Sequence, residues 1–373
     1  MALSAARRAQ LGKRTAVASG LLGALAVLGE LCFLLPEQLV MREALPFYKA
    51  NLGVFRAILQ AAIVATFVTG IAGVLLLRSK SHGLLGIGLG VVALAMGGAD
   101  AEPLEIAGHP WLAAGLDYFV LELLVLGLLF IPLERLFALR AQRIFRSGWQ
   151  TDLKHFFVSH AGVQILTLLA MIPAQALFAW AVDLEFQRAV AAQPLALQFL
   201  EIVLVVDLVT YWVHRAFHRV PWLWSFHAIH HSSLQLDWLA GSRMHVVDVL
   251  VTRFAAFVPV FLLGFATPAF YAYLVFATFH TVFIHANVRW RWPGLRWLIT
   301  TPEFHHWHHT SDEEGIDKNF AIFLPAIDRV FGTAHMPGHW PRRYGTAKFQ
   351  PPETWLGQLV YPFRRRREVT PYG

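Results

Sequence analysis

Twelve of the eighteen histidines in this 373-residue chain lie between His214 and His309. Eight of them fall in three tight groups: His214 and His218; His227, His230 and His231; His305, His308 and His309. Residues three or four apart share a helix face, so each group can aim two or three imidazoles at one point. Neutral imidazole is a common ligand of iron, zinc and copper. One zinc ion is satisfied by about three or four protein ligands, so eight convergent nitrogens point to two metals in one cage. His306 sits beside His305 rather than a turn away and is expected outside the ligand set. His280 is five residues before His285 and off its face, which leaves ligation and packing both open. His155, His160, His335 and His339 have no partner at ligand spacing and are expected to serve packing or the surface.

The elements that must position these rings are membrane helices. The chain is 56% hydrophobic and 15% charged, with a mean hydropathy of +0.50, too apolar for a soluble domain of this size. Apolar runs near the roughly 20 residues that cross a bilayer occur at about 16–36, 54–77, 83–99, 113–134, 157–181, 196–213, 246–265 and 269–286. The last two are separated by Ala266-Thr267-Pro268, which suggests a hairpin. The expected fold is all-α: a polytopic transmembrane bundle with a cytosolic, histidine-rich dimetal cap. Three regions are expected: a four-span module over 1–135, a catalytic domain over 136–345 and a basic tail over 346–373. Asp117, Glu122 and Glu134 sit in or beside the fourth run, where an ionisable group marks a function or a buried partner.

Basic residues favour short cytoplasmic loops. Arg7, Arg8, Lys13 and Arg14 precede the first run, Arg78 and Lys80 follow the second, and Arg135, Arg140, Arg143, Arg146 and Lys154 follow the fourth. Asp100, Glu102 and Glu105 follow the third run, Asp183 and Glu185 the fifth; Arg42, Lys49 and Arg56 are the exception. This bias puts the histidine groups at the cytoplasmic surface of a multi-pass protein, expected in a bacterial inner membrane. The net charge of +7 and the Arg364–Arg367 tail are explained by anionic headgroups rather than nucleic acid. Cys32 is the sole cysteine, which excludes an intramolecular disulfide, a thiolate zinc site and a cysteine-held iron–sulfur cluster.

The motifs around the groups are themselves distinctive. Asp207-Leu-Val-Thr-Tyr211-Trp-Val-His214-Arg-Ala-Phe-His218, Leu223-Trp224-Ser-Phe-His227-Ala-Ile-His230-His231, Phe283-Ile-His285-Ala-Asn287, Thr301-Pro-Glu-Phe-His305-His-Trp-His308-His309 and Asp328-Arg-Val-Phe-Gly332-Thr resemble, in order and spacing, the fatty acid hydroxylase superfamily, also called the sterol desaturase family. The resemblance covers roughly 150–345 and leaves the first four runs outside. It implies a membrane di-iron oxidase that uses O2 to hydroxylate or desaturate a C–H bond of a lipid such as a sterol or fatty acyl chain. The ligand positions it implies are His214, His218, His227, His230, His231, His305, His308 and His309, with His285 as a ninth. His245 resembles a further family histidine that normally precedes a proline; here Val246 follows.

Ligating histidines usually hand their other N–H to a carboxylate, carbonyl or water. Asp207, two turns before His214, together with Asp312 and Asn287, are the candidates for that support, with helix capping the competing reading for Asp312, and Asp237, Asp248 and Glu303 also lie near the groups. Zinc-dependent hydrolysis is the rival chemistry, but no H-E-x-x-H general base is present. A transporter or haem protein is the non-enzymatic rival, and haem needs only one or two axial residues. Reducing O2 while oxidising a lipid calls for two further electrons. No glycine-rich nucleotide turn or thiolate cluster could store them. A separate donor is therefore expected, a ferredoxin-like or cytochrome-type carrier with its reductase.

Overall fold

A computed structural model describes residues 4–40, 45–77, 80–98, 116–161 and 163–364. Arg42, Arg78, Asp100, Glu102, Glu105, Arg365–Arg367 and the side chains of Asp117 and His160 lie outside the described residues. The described residues are helical, with no strand and only two isolated bridges, Ala138 to Val288 and Thr310 to Tyr344. Two compact units are present, Met1–Glu122 and Leu123–Gly373.

In the first unit the helices Ala5–Leu34, Leu52–Leu76 and Ser81–Ala95 pack closely. Small residues set that distance: a side chain at Gly86 would strike Ser19, and one at Gly73 would strike Ala16. The Ser19 hydroxyl donates to the Thr66 carbonyl at 2.7 Å. Between membrane helices, such close contact replaces the hydrophobic drive available in water. The apolar run expected at 83–99 ends early. Gly97 and Gly98 adopt positive φ of 130° and 60°, and the remaining 15 residues rise only about 22 Å against a core of about 30 Å.

The second unit holds three long apolar helices, Leu195–Arg219, Val246–Leu263 and Thr267–His285, which with the first two of the other unit make five candidate spans. The chain is a multi-pass membrane protein. The run expected at 157–181 ends at a sharp bend just beyond its last residue: the segments Leu169–Ala181 and Leu184–Ala191 meet at 115°. Asp183 causes the restart by accepting the free N–H groups of Glu185 and Phe186.

All three long helices of this unit carry histidine at one end. His214 and His218 lie in the last turns of Leu195–Arg219, His285 closes Thr267–His285, and His245 caps the start of Val246–Leu263. At the other end lies the expected turn between the last two, reduced to Gly264–Ala266. Gly264 takes a left-handed φ of 68°. The Gln187 amide donates to the otherwise unpaired Phe261 and Leu262 carbonyls at 2.8 and 3.3 Å, and Gln198 accepts from the Ala266 N–H. Ile202, Val203 and Val206 bury against Ala269, Tyr273 and Phe323, locking the histidine-bearing helices together.

Replacing Gly264 by alanine should expose this constraint. A Cβ there would lie 2.5 Å from Gln187 Cγ, in a backbone region that costs an L-residue about 1–2 kcal/mol. Thermal unfolding followed by circular dichroism in detergent should show a lower Tm; an unchanged Tm would mean that the turn tolerates a side chain.

Candidate metal centre

Short helices started by proline deliver the remaining rings. Pro221 opens Pro221–His227 and Pro302 opens Pro302–His308; proline at the first turn fixes φ and lacks only an N–H that would be unpaired anyway. A single turn of 3-10 helix then presents His230 and His231. Nine imidazoles converge in two groups, His214, His218, His227, His231 and His308 in one, His230, His285, His305 and His309 in the other, with the offered atoms of each within 4.8 Å of one another. All nine residues are buried, none more than 8% exposed. The groups share a wall, where His231 stacks on His309 with ring centroids 4.5 Å apart.

Six of the nine rings have their tautomer fixed by an acceptor at Nδ1. His214 donates to the Phe320 carbonyl at 2.7 Å, His308 to Lys318 at 2.9 Å, His230 to Arg243 at 3.2 Å and His285 to Thr281 at 2.6 Å. His227 donates to Asp248 at 2.7 Å and His218 to Asp317 at 3.2 Å. A carbonyl or carboxylate oxygen can only accept, so in a neutral ring the proton sits on Nδ1 and Nε2 carries a lone pair.

Those lone pairs face one another. His214 and His227 approach through Nε2 at 3.0 Å, and His285 lies 3.3 Å from His230 in the same way. His285, His305 and His309 form a triangle of Nε2 atoms with edges of 3.0, 3.1 and 3.1 Å. His218 and His308 leave Nε2 buried with no hydrogen-bond partner. Facing lone pairs repel unless a cation lies between them. Two nitrogens each about 2.1 Å from one ion stand about 3.0 Å apart at a right angle and about 3.4 Å apart at the tetrahedral angle. The observed edges, from 3.0 to 3.3 Å, fall in the range that ligation of a common ion would give.

Burial also keeps the rings ready to bind. It holds His230, His231, His305 and His309 well below the usual imidazole range, helped by repulsion among the rings, and brings His308 to about 3. Near pH 7 they are neutral and need release no proton to ligate. Burial lifts Asp317 to about 6 against the pull of Arg219, Lys318 and Arg215, so it is an anion at neutral pH.

The segment supplying several of these acceptors is itself clamped. Asp328 accepts from the N–H groups of Phe320 and Ala321, both at 2.8 Å. Asp207 accepts from Ile322, Phe323 and Leu324 at 2.8, 3.1 and 2.6 Å. Asn319, at a φ of 61°, ties the segment to the Phe304 carbonyl and to the backbone of His335. Asp207 therefore supports His214 through backbone rather than by touching its ring. Asp312 caps the Arg342 and Arg343 N–H groups near the surface, and Asn287 pairs with the backbone of Arg140. Neither reaches a ring of the groups.

His245 is outside both groups. Its Nδ1 accepts from Val247 N–H and its Nε2 donates to the Leu359 carbonyl, so its lone pair is committed to capping a helix. His280 donates to Ile322 and stacks on Phe276. His306 is buried, donating to the Ala286 carbonyl and accepting from Tyr344. Glu134 finds buried partners in the N–H groups of Trp238 and Asn287. Sequence reasoning missed a buried ion network in which Arg146 forks onto Asp237 at 2.7 Å and reaches Asp152 at 2.6 Å, while Arg243, whose carbonyl orients His230, binds Asp152. Asp317 was missed as well; its proximity to the third group was the available signal.

Residues 199–333, which contain every one of these rings, match the family model described as fatty acid hydroxylase. Residues 199–333 form a fatty acid hydroxylase domain. The chain is similar to ornithine lipid hydroxylase OlsE of Rhizobium tropici, 29% identical over 231 residues, 58% of this chain and 67% of that protein. It is also similar to alkylglycerol monooxygenase of Homo sapiens, 34% identical over 129 residues, 34% of this chain and 28% of that protein. A third relative is very-long-chain aldehyde decarbonylase GL1-5 of Oryza sativa subsp. indica, 28% identical over 34% of this chain and 22% of that protein. The chain thus spans about two thirds of the first relative and less than a third of the other two. No solved structure matches it. The names hydroxylase and monooxygenase support the oxidoreductase reading of the fatty acid hydroxylase domain.

The packing around His285 gives a direct test of the site. A Cβ on Gly241 would lie 2.8 Å from His285 Nδ1, so Gly241→Ala should tilt that ring and lower bound metal by up to about one ion per chain, a loss expected when ligand orientation fails. Metal analysis of the purified variant checks it; full content would show that the ring has room to yield.

Proposed function

We propose that the domain is an O2-dependent di-iron oxidase that hydroxylates a membrane lipid, with His214, His218, His227, His231 and His308 holding one ion and His230, His285, His305 and His309 the other. The observation that carries this reading is the convergence of buried Nε2 lone pairs whose Nδ1 atoms are already engaged. Five histidines exceed the four positions of a tetrahedral zinc, which favours iron over structural zinc. Bound iron would supply the O2 chemistry needed to break an unactivated C–H bond.

The chain's own part is to bind, orient and exclude water. Phe320 packs 5.1–5.9 Å from His214, His218 and His308, and Phe217 lies 5.6 Å from His227, giving the five-histidine group an apolar wall. The groups sit at the ends of membrane helices, so an apolar substrate reaches them laterally without crossing water. The relatives' names support a lipid substrate, with hydroxylation favoured over desaturation. The catalytic region is read as roughly 136–345, preceded in the sequence by an N-terminal module over 1–135.

The balance is lipid C–H plus O2, two electrons and two protons giving alcohol and water. The electrons come from a separate ferredoxin-like or cytochrome-type carrier and its reductase. The Lys/Arg bias supports a cytoplasmic active site in a bacterial inner membrane.

Two experiments test this. Protein purified in lipid should incorporate one atom of labelled O2 into lipid only when a carrier and reductase are present; sustained turnover with NAD(P)H alone would defeat the separate-donor reading. His231→Ala and His308→Ala should each lower that rate by about 100-fold or more, beyond the loss typical of removing an outer support, while helix content stays unchanged. Full activity in either variant would overturn the ligand assignment.

A further inference from the structure

The two histidine groups stand in unlike electrostatic surroundings. We propose that Asp248 and Asp317 make the five-histidine group the tighter metal site, filled first and emptied last. The proposal rests on the dimetal reading above and goes beyond it by ranking the two positions and naming the side chains that rank them.

In the five-histidine group two rings donate to buried carboxylates, His227 to Asp248 at 2.7 Å and His218 to Asp317 at 3.2 Å. Both acids are nearly sealed, with side-chain exposures of 2% and 6%. The four-histidine group has neutral support only: His230 donates to the Arg243 carbonyl and His285 to the Thr281 carbonyl. His305 Nδ1 is buried without a hydrogen-bond partner. Among the described residues no carboxylate is hydrogen-bonded to a ring of that group.

An anionic acceptor at Nδ1 makes Nε2 a stronger donor to a cation, and the carboxylate also attracts the ion directly across one ring. Asp317 is partly offset by Arg219, 3.5 Å away on the solvent side with a half-exposed side chain. Among the described residues, the one further hydrogen bond to Asp248 besides its ring comes from the Thr252 hydroxyl at 3.3 Å. Asp248 should therefore be the stronger of the two supports. Both act through a ring and are positioning residues; neither is a ligand.

The test uses the full chain in lipid nanodiscs, stripped of metal and titrated with Co(II) or Zn(II) against a chromophoric chelator. The wild type should bind two ions in classes at least about tenfold apart. Asp248→Asn and Asp317→Asn keep the shape and an acceptor oxygen but remove the charge. Each should weaken the tight class by about 10–100-fold, the range reported for outer supports, and leave the weak class in place. His305→Ala should do the reverse, abolishing the weak class and sparing the tight one. Two equal classes in the wild type would overturn the ranking while leaving the dimetal reading intact. So would acid variants that weaken both classes alike, as a merely structural role would, or neither. Fewer than two ions in the wild type would overturn the dimetal reading itself. Should Asp248→Asn fail to fold, Asp317→Asn, at the rim beside Arg219, decides the question alone.

Discussion

An imidazole offers a metal only the nitrogen that its other hydrogen bond leaves free, and the site depends on that choice being made before any ion arrives. A ring with its proton on the wrong nitrogen would present N–H to the cavity and repel a cation. Six of the nine rings are fixed by acceptors at Nδ1, and for three of them the acceptor comes from residues 317–320. That stretch runs through the interior, where bare N–H groups would each be costly. Asp207 and Asp328 between them accept five consecutive N–H groups from Phe320 to Leu324. Two carboxylates that touch no ring thus hold the segment that sets the rings.

The position of the site follows from the solvent on either side of it. Nine imidazoles and several acids would be expensive in hydrocarbon, whereas a chain acting on lipid gains by placing its chemistry close to the acyl region. Histidine at the ends of Leu195–Arg219 and Thr267–His285 satisfies both demands. Beyond the ends of the long helices the backbone is organised only by short helices and loops. Arg146, Asp152, Asp237 and Arg243 take over there as a buried network. Removing one member would leave an uncompensated charge, typically a loss of about 3–5 kcal/mol. The network also holds Arg243, whose carbonyl orients His230.

Eight of the nine clustered rings, their arrival at one end of the bundle and the membrane class were legible in the sequence, because helical spacing and apolar run length are local properties, whereas His285 entered through the family resemblance. What escaped depends on distant contacts. The acceptor of His214 is 106 residues away and that of His218 is 99 away, and no spacing rule links them. Asp207 lies two turns before His214, as a ring partner should, yet its carboxylate turns to three N–H groups that offer it more bonds than one ring could. His245 matched a family position in sequence, but Val247 and Leu359 occupy both of its nitrogens. The apolar run at 83–99 overstated its helix because composition does not register where the helix stops, here at Gly97-Gly98.

The limits of the family match are not those of the physical unit. Residues 199–333 contain all nine rings and the clamped segment, yet several supports lie beyond them. Asp152 anchors Arg243 from the N-terminal side. From the C-terminal side, Tyr344 donates to His306, the Leu359 carbonyl takes the His245 proton, and Tyr361 packs on Ala228 and Ile229 beside the second histidine group. His155 joins the two flanks, donating to the Met244 carbonyl while its other nitrogen meets Gln358. The matched segment carries the nine clustered rings and the flanks carry contacts that hold them in place, so the geometry of the cluster depends on residues well outside the stretch that the family model matches.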